Sequence, residues 1–220
     1  MTVHVAEPFV DLSGEQPVRG FLHRPISPSG IGIVLTHGAS GNSQSSLLVG
    51  LGTAFSAAGV MVLRCDLPFR QLRPKGPPSP SGSTRDREGL KDAVSALRRL
   101  VIGKLYLGGQ SYGGRQASIL AASESSLISG LLLLSYPLHP PGRPTQQRTV
   151  HFPSLRTSAL FVSGTKDAFG SVEELETAIK LISARTQFVQ IPDAGHGLVT
   201  KKNASSLPGT IVEAFTAMFF

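Results

Sequence analysis

One cysteine, Cys65, stands in a chain of 220 residues. An intrachain disulfide is therefore excluded, and a reducing cytosol is the expected compartment. No H-x-x-x-H pair and no cysteine pair occur, so the sequence predicts no metal site. "GGQSYGG" lacks the lysine of a P-loop, and no G-x-G-x-x-G follows a strand-like run. Nucleotide binding is excluded on those grounds, and no cofactor is expected. The longest apolar stretch, Leu127–Leu138, is too short to span a bilayer and reads as a buried strand. The first residues, "MTVHVAEPFVDLSGEQ", lack a basic segment and a long apolar one, so no signal peptide and no membrane association are expected. Aromatic residues are sparse at 6%. The basic clusters Arg70-Arg73-Lys75, Arg85-Arg87, Arg98-Arg99 and Lys201-Lys202 carry little aromatic interleaving. The net charge of +7 is then a solvated basic surface rather than a nucleic-acid interface.

What is present is a globular composition, 40% hydrophobic and 16% charged, long enough for a substantial core. Short β-like runs alternate with helical periodicity. "TVHVAEPFV" and "VRGFLHRP" read as an N-terminal antiparallel pair. "IGIVLTHG", "VMVLRCD", "KLYLGG", "SGLLLLSYPL", "SALFVSGTKD" and "TQFVQIP" read as buried strands. Helices are predicted over Ser45–Ala58, ended by Gly59, and over the stripe Leu90, Ala93, Val94, Leu97, Leu100, Val101. Three more follow at "RQASILAAS", "SVEELETAIKLI" and "LPGTIVEAFTAMFF", the last with Pro208 in its first turn. Gln71–Ser83, rich in proline, glycine and serine, is expected to lack regular structure, as a surface connection or a flap. The whole of 1–220 reads as one α/β domain, with a mostly parallel sheet and helices on both faces. Ligands in such sheets sit at the C-terminal strand ends. His37, Asp66, Ser111, Asp167 and His196 all fall there.

The stretch Gly109-Gln110-Ser111-Tyr112-Gly113 fits G-x-S-x-G between an apolar strand and a helix. The glycines allow a sharp turn that exposes the Ser111 hydroxyl at a helix start. A serine hydroxyl needs a base to take its proton. Asp167 and then His196 follow downstream, each just after a different buried strand, so the three can converge. Asp193, three residues before His196, is a rival acid, and Asp66 lies upstream of the serine. Two backbone donors for a developing oxyanion are expected from Tyr112 and Ala39. His37 reads as a loop-shaping hydrogen-bonder. His4, His23, His139 and His151 read as surface or loop residues, with His139 and His151 bordering a loop that can reach substrate. Cys65 reads as a packed thiol.

"THGASGN", "GGQSYGGRQA", "SGTKDAFG" and "DAGHGL" together resemble the α/β-hydrolase superfamily over nearly the whole chain. The short form without an inserted cap looks like its dienelactone-hydrolase-like branch. The Gly-Gly-Arg after the elbow is most similar to the small proteins related to testis-expressed protein 30 and to a regulatory subunit of the NSL histone-acetyltransferase complex. Tyr112 departs from that branch, where methionine is expected. Ser111 departs from dienelactone hydrolases proper, which use cysteine. The resemblance implies an α/β-hydrolase fold without a cap and a serine hydrolase acting on a small acyl compound, with Ser111 as nucleophile, His196 as base and Asp167 as its partner. The rival expectation is a non-catalytic interaction protein on the same scaffold.

Overall fold

The computed structural model describes residues 6–220. His4 and the start of the predicted first strand lie outside the described residues. Eight strands form one sheet: β1 (Glu7–Asp11), β2 (Val18–His23), β3 (Gly32–Thr36), β4 (Met61–Cys65), β5 (Leu105–Gln110), β6 (Gly130–Leu134), β7 (Ala159–Gly164) and β8 (Thr186–Ile191). Their spatial order is β1-β2-β4-β3-β5-β6-β7-β8. β1 and β2 pair antiparallel, and β2 meets β4 antiparallel. From β4 across to β8 every pairing is parallel.

Strand parity sorts the core into two layers. Ile33, Leu35, Leu132, Leu134, Leu160 and Val162 point to one face, where helices α1 (Ser46–Ala57) and α6 (Leu207–Phe219) cover them. Val34, Leu131, Leu133, Ala159 and Phe161 point to the other. There α3 (Ser83–Arg98), α4 (Tyr112–Ser123) and α5 (Val172–Ile179) pack. Residues one apart on a strand face opposite sides, so a strand buried on both faces must be apolar throughout. That is why β3, β6 and β7 are uniformly buried. No helix among the described residues is long and apolar enough to cross a membrane.

Two expectations need correction. Gln71–Ser83 is not wholly irregular. A short helix, α2 (Pro68–Leu72), runs into it, and a single 3₁₀ turn spans Pro80–Gly82. Pro68 starts α2 because a first-turn proline forfeits no helical bond. His23 is buried in β2, where its Nε2 accepts a 2.7 Å bond from Arg64 Nε. His139 lies in a loop as expected, between β6 and β7, and is buried there, its Nδ1 2.8 Å from the Pro140 carbonyl and its Nε2 3.1 Å from Glu174.

Candidate active site

The Gly109–Gly113 turn sits between β5 and α4, as the motif requires. Ser111 has φ 50° and ψ −115°, a conformation unusual for a non-glycine residue. A Cβ on Gly109 would lie 2.5 Å from the Gly114 nitrogen, and one on Gly113 would lie 2.4 Å from the His37 carbonyl oxygen. Both glycines let the turn close against α4 and the end of β3. Ser111 N–H is tied to the Leu134 carbonyl at 2.7 Å, which fixes the turn to β6.

Two further loops reach the same edge. His196 Nε2 lies 2.8 Å from Ser111 Oγ. Its Nδ1 lies 2.9 Å and 3.0 Å from the two Asp167 oxygens. A carboxylate accepts only, so Nδ1 carries the proton and Nε2 presents its lone pair to the serine O–H. An imidazole held this way can take the hydroxyl proton. The Asp167 side chain is 1% exposed and that of His196 27%. Asp167 also accepts from Phe169 N–H at 2.9 Å, and the Phe169 ring stacks on His196 with centroids 4.0 Å apart. α5 does not compete for Asp167. Ser171 caps that helix in a reciprocal capping box with Glu174.

The rival acids lie elsewhere. Asp193 is exposed and pairs with Lys166 at 2.6 Å. Asp66 accepts from Ser43 N–H at 2.7 Å. His37 is fully buried. Its Nδ1–H donates to the Gly38 carbonyl at 2.8 Å, and Nε2 accepts from Leu67 N–H at 3.1 Å. Burial keeps this ring less basic than a free histidine. Cys65 is packed in β4, its thiol pushed up to about 12, first by burial and then by the Asp66 charge.

A cleft of about 460 Å³ opens over Ser111 and His196 and includes Ala39 and Tyr112 in its wall. Tyr112 is the first residue of α4, so its N–H has no partner within the helix. Its phenol donates to the buried Asp86 at 2.7 Å. Burial, then the Asp86 carboxylate, raises that phenol's pKa, which keeps it neutral. His139 and His151, considered above as possible substrate contacts, are not in the cleft wall.

Arg70 is a feature that local sequence patterns do not reveal. Buried in α2, it donates through Nη2 to the Ala39 carbonyl and through Nε to the Gly41 carbonyl, both at 2.8 Å. It also reaches the Gly76 carbonyl at 3.1 Å and the Arg73 carbonyl at 3.2 Å. The loop that offers Ala39 is thus clamped from behind by a cation. Phe169, Arg115 and Arg148 also line the cleft. Of these, Arg115 stood in a quoted motif as the arginine of "GGR" and Phe169 as the phenylalanine of "SGTKDAFG", while Arg148 stood in none.

A family model for the alpha/beta hydrolase domain matches residues 30–217. The chain belongs to the α/β-hydrolase family. Similar solved structures include an α/β serine hydrolase homologue from Coxiella burnetii, at 17% identity and TM-score 0.78, covering 97% of this chain and 99% of that one. A serine hydrolase without a lid from Xanthomonas campestris shares 16% identity at TM-score 0.76, covering 100% and 97%. A dienelactone hydrolase from Anabaena variabilis shares 18% at TM-score 0.76, covering 98% of each chain. The α/β-hydrolase sheet order, with its antiparallel start and no separate cap domain, is the architecture described above.

Proposed function

We propose that this α/β-hydrolase is a serine hydrolase that cleaves an ester, thioester or related acyl bond of a small substrate. The observation that carries the reading is the continuous row from Asp167 through His196 to Ser111 Oγ, with contacts of 2.9 Å and 2.8 Å. Ser111 Oγ attacks the acyl carbonyl as His196 Nε2 takes its proton. Asp167 holds the ring in the productive tautomer. The N–H groups of Ala39 and Tyr112 stabilise the oxyanion. His196 returns the proton to the leaving group as the carbonyl–leaving-group bond breaks. Water, deprotonated by the same ring, then releases the acid and restores Ser111. No cofactor takes part. A purely interacting scaffold has no use for a buried carboxylate aligned on a histidine aligned on a serine, which weighs against the rival reading.

Within the family we place the chain beside the small proteins related to testis-expressed protein 30, on the arginine after its elbow. We place its work in the cytosol, which its one buried thiol suits. The test is labelling with a fluorophosphonate, followed by peptide mass spectrometry. Covalent label on Ser111 is expected, absent in Ser111→Ala and slowed at least 100-fold in His196→Ala. No label on folded wild-type protein overturns the reading.

A further inference from the structure

Two arginines, Arg115 and Arg148, line the cleft beside Ser111, and among the described residues no aspartate or glutamate lines it with them. Arg115 stands one helical turn beyond Ser111, its N–H bonded to the Ser111 carbonyl at 2.9 Å. Its side-chain Nε is buried without a hydrogen-bond partner. Arg148 comes from the loop between β6 and β7. It is held by a 3.2 Å bond from Nη1 to the Pro137 carbonyl, and its own carbonyl accepts from Tyr136 O–H at 2.6 Å. Neither arginine forms an ion pair with a carboxylate among the described residues.

Among the described residues, the carboxylates near the cleft are bonded to other groups. Asp167 is turned to His196, and Asp86 lies buried behind Tyr112 with both oxygens bonded. His151, which shares a 2.8 Å bond with Ser118, has its pKa lowered to about 4, by burial first and then by the Arg115 charge. Arg148 is made less basic by burial and by the same Arg115 charge. Two half-buried like charges facing one cleft, one with an unused donor, are destabilising unless something anionic completes them. A guanidinium offers a planar fork of donors that matches carboxylate and phosphate oxygens.

We propose that the cleft takes acyl substrates bearing an anionic oxyacid group, carboxylate or phosphate, which Arg115 and Arg148 hold while Ser111 meets the acyl carbon. This rests on the serine-hydrolase reading and narrows its substrate class. Arg115 and Arg148 are then specificity determinants. They act mainly on KM for the anionic substrate, since their contact is present before the transition state.

The test compares kcat/KM within matched pairs of esters. 4-Nitrophenyl hydrogen glutarate against 4-nitrophenyl pentanoate places the carboxylate on the acyl side. 4-Acetoxybenzoate and 4-acetoxyphenyl phosphate, each against 4-acetoxybenzamide, place a carboxylate or a phosphate on the leaving side. At least one anionic member is expected to exceed its neutral match by about 10- to 100-fold, the range of one charge-assisted contact. The responding pair tells acyl side from leaving side and carboxylate from phosphate. Arg148→Lys should keep most of that ratio and Arg148→Glu should invert it, with melting temperatures measured alongside. Ratios within about threefold of unity in every pair, in wild-type protein whose Ser111 labels with fluorophosphonate, overturn the inference and leave the hydrolase reading standing. Absence of both labelling and turnover overturns both.

Discussion

Gly164 ends β7, three residues before Asp167, and packs on the turn that leads to His196. A Cβ placed there would lie 2.1 Å from the Ala194 carbonyl oxygen and 2.8 Å from that of Gly195. Ordinary contact begins at roughly 3.4 Å, so Gly164→Ala must part the two loops by about 1.3 Å. These loops are joined at the same place by Lys166 N–H on the Ala194 carbonyl at 2.9 Å and by Thr165 N–H on the Ile191 carbonyl at 3.1 Å. The movement therefore passes directly into the Asp167–His196 contact and on to Ser111. A shift of about 1 Å at reacting groups costs about 100-fold in rate, or ~2.7 kcal/mol. Overpacking adds a folding penalty of about 1–3 kcal/mol, which lowers Tm by roughly 2–12 °C in a domain of this size. The assay is kcat/KM on 4-nitrophenyl acetate, with the rate of fluorophosphonate labelling and a thermal melt. A variant within twofold of wild type in kcat/KM, with Tm unchanged, refutes the reasoning, because the loops would then absorb a methyl group without moving the histidine.

Arg70→Gln removes the charged clamp on the Ala39 and Gly41 carbonyls. We expect kcat to fall at least 10-fold with KM near wild type, a fraction of the 10²–10³ lost when an oxyanion donor is deleted outright. An unchanged kcat shows that Ala39 holds its place unaided. His151 predicts an acid limb of stability. Its folded pKa, lowered to about 4, lies below the unfolded value near 6.5, so the unfolded chain binds more protons between them. Stability is full above about pH 6.5 and is lost as pH falls through about 4. Tm measured across that window should decline less steeply in His151→Gln than in wild type, and equal slopes would remove His151 as the cause.

The strands and the longer helices were legible because burial imposes parity and period on apolar residues; the short α2 was not. "IGIVLTHG" and "SGLLLLSYPL" can only be strands covered on both sides, and Gly59 closes α1 where the pattern stops. Ser111, Asp167 and His196 were legible because each follows its own strand and the parallel sheet brings strand ends together. The contributions of Arg70 and His23 were not. The Arg70 partners at Ala39 and Gly41 lie far back along the chain, and no local pattern marks a guanidinium that will be buried among carbonyls. His23 meets Arg64 only because β2 lies beside β4 in the sheet. Asp167 carried an ambiguity between capping a helix and orienting a histidine, and Ser171 resolved it by taking the cap.

The Arg70 clamp also decides when order is established in this protein. Four carbonyls from two separate stretches converge on one guanidinium, so the loop bearing Ala39 is organised as the chain folds. The entropy of fixing that backbone is charged to folding, not to each encounter with a substrate. Under the proposed hydrolase function, small substrates would meet a rigid surface, and the binding energy they bring would go to discriminating between them rather than to shaping the place where they bind.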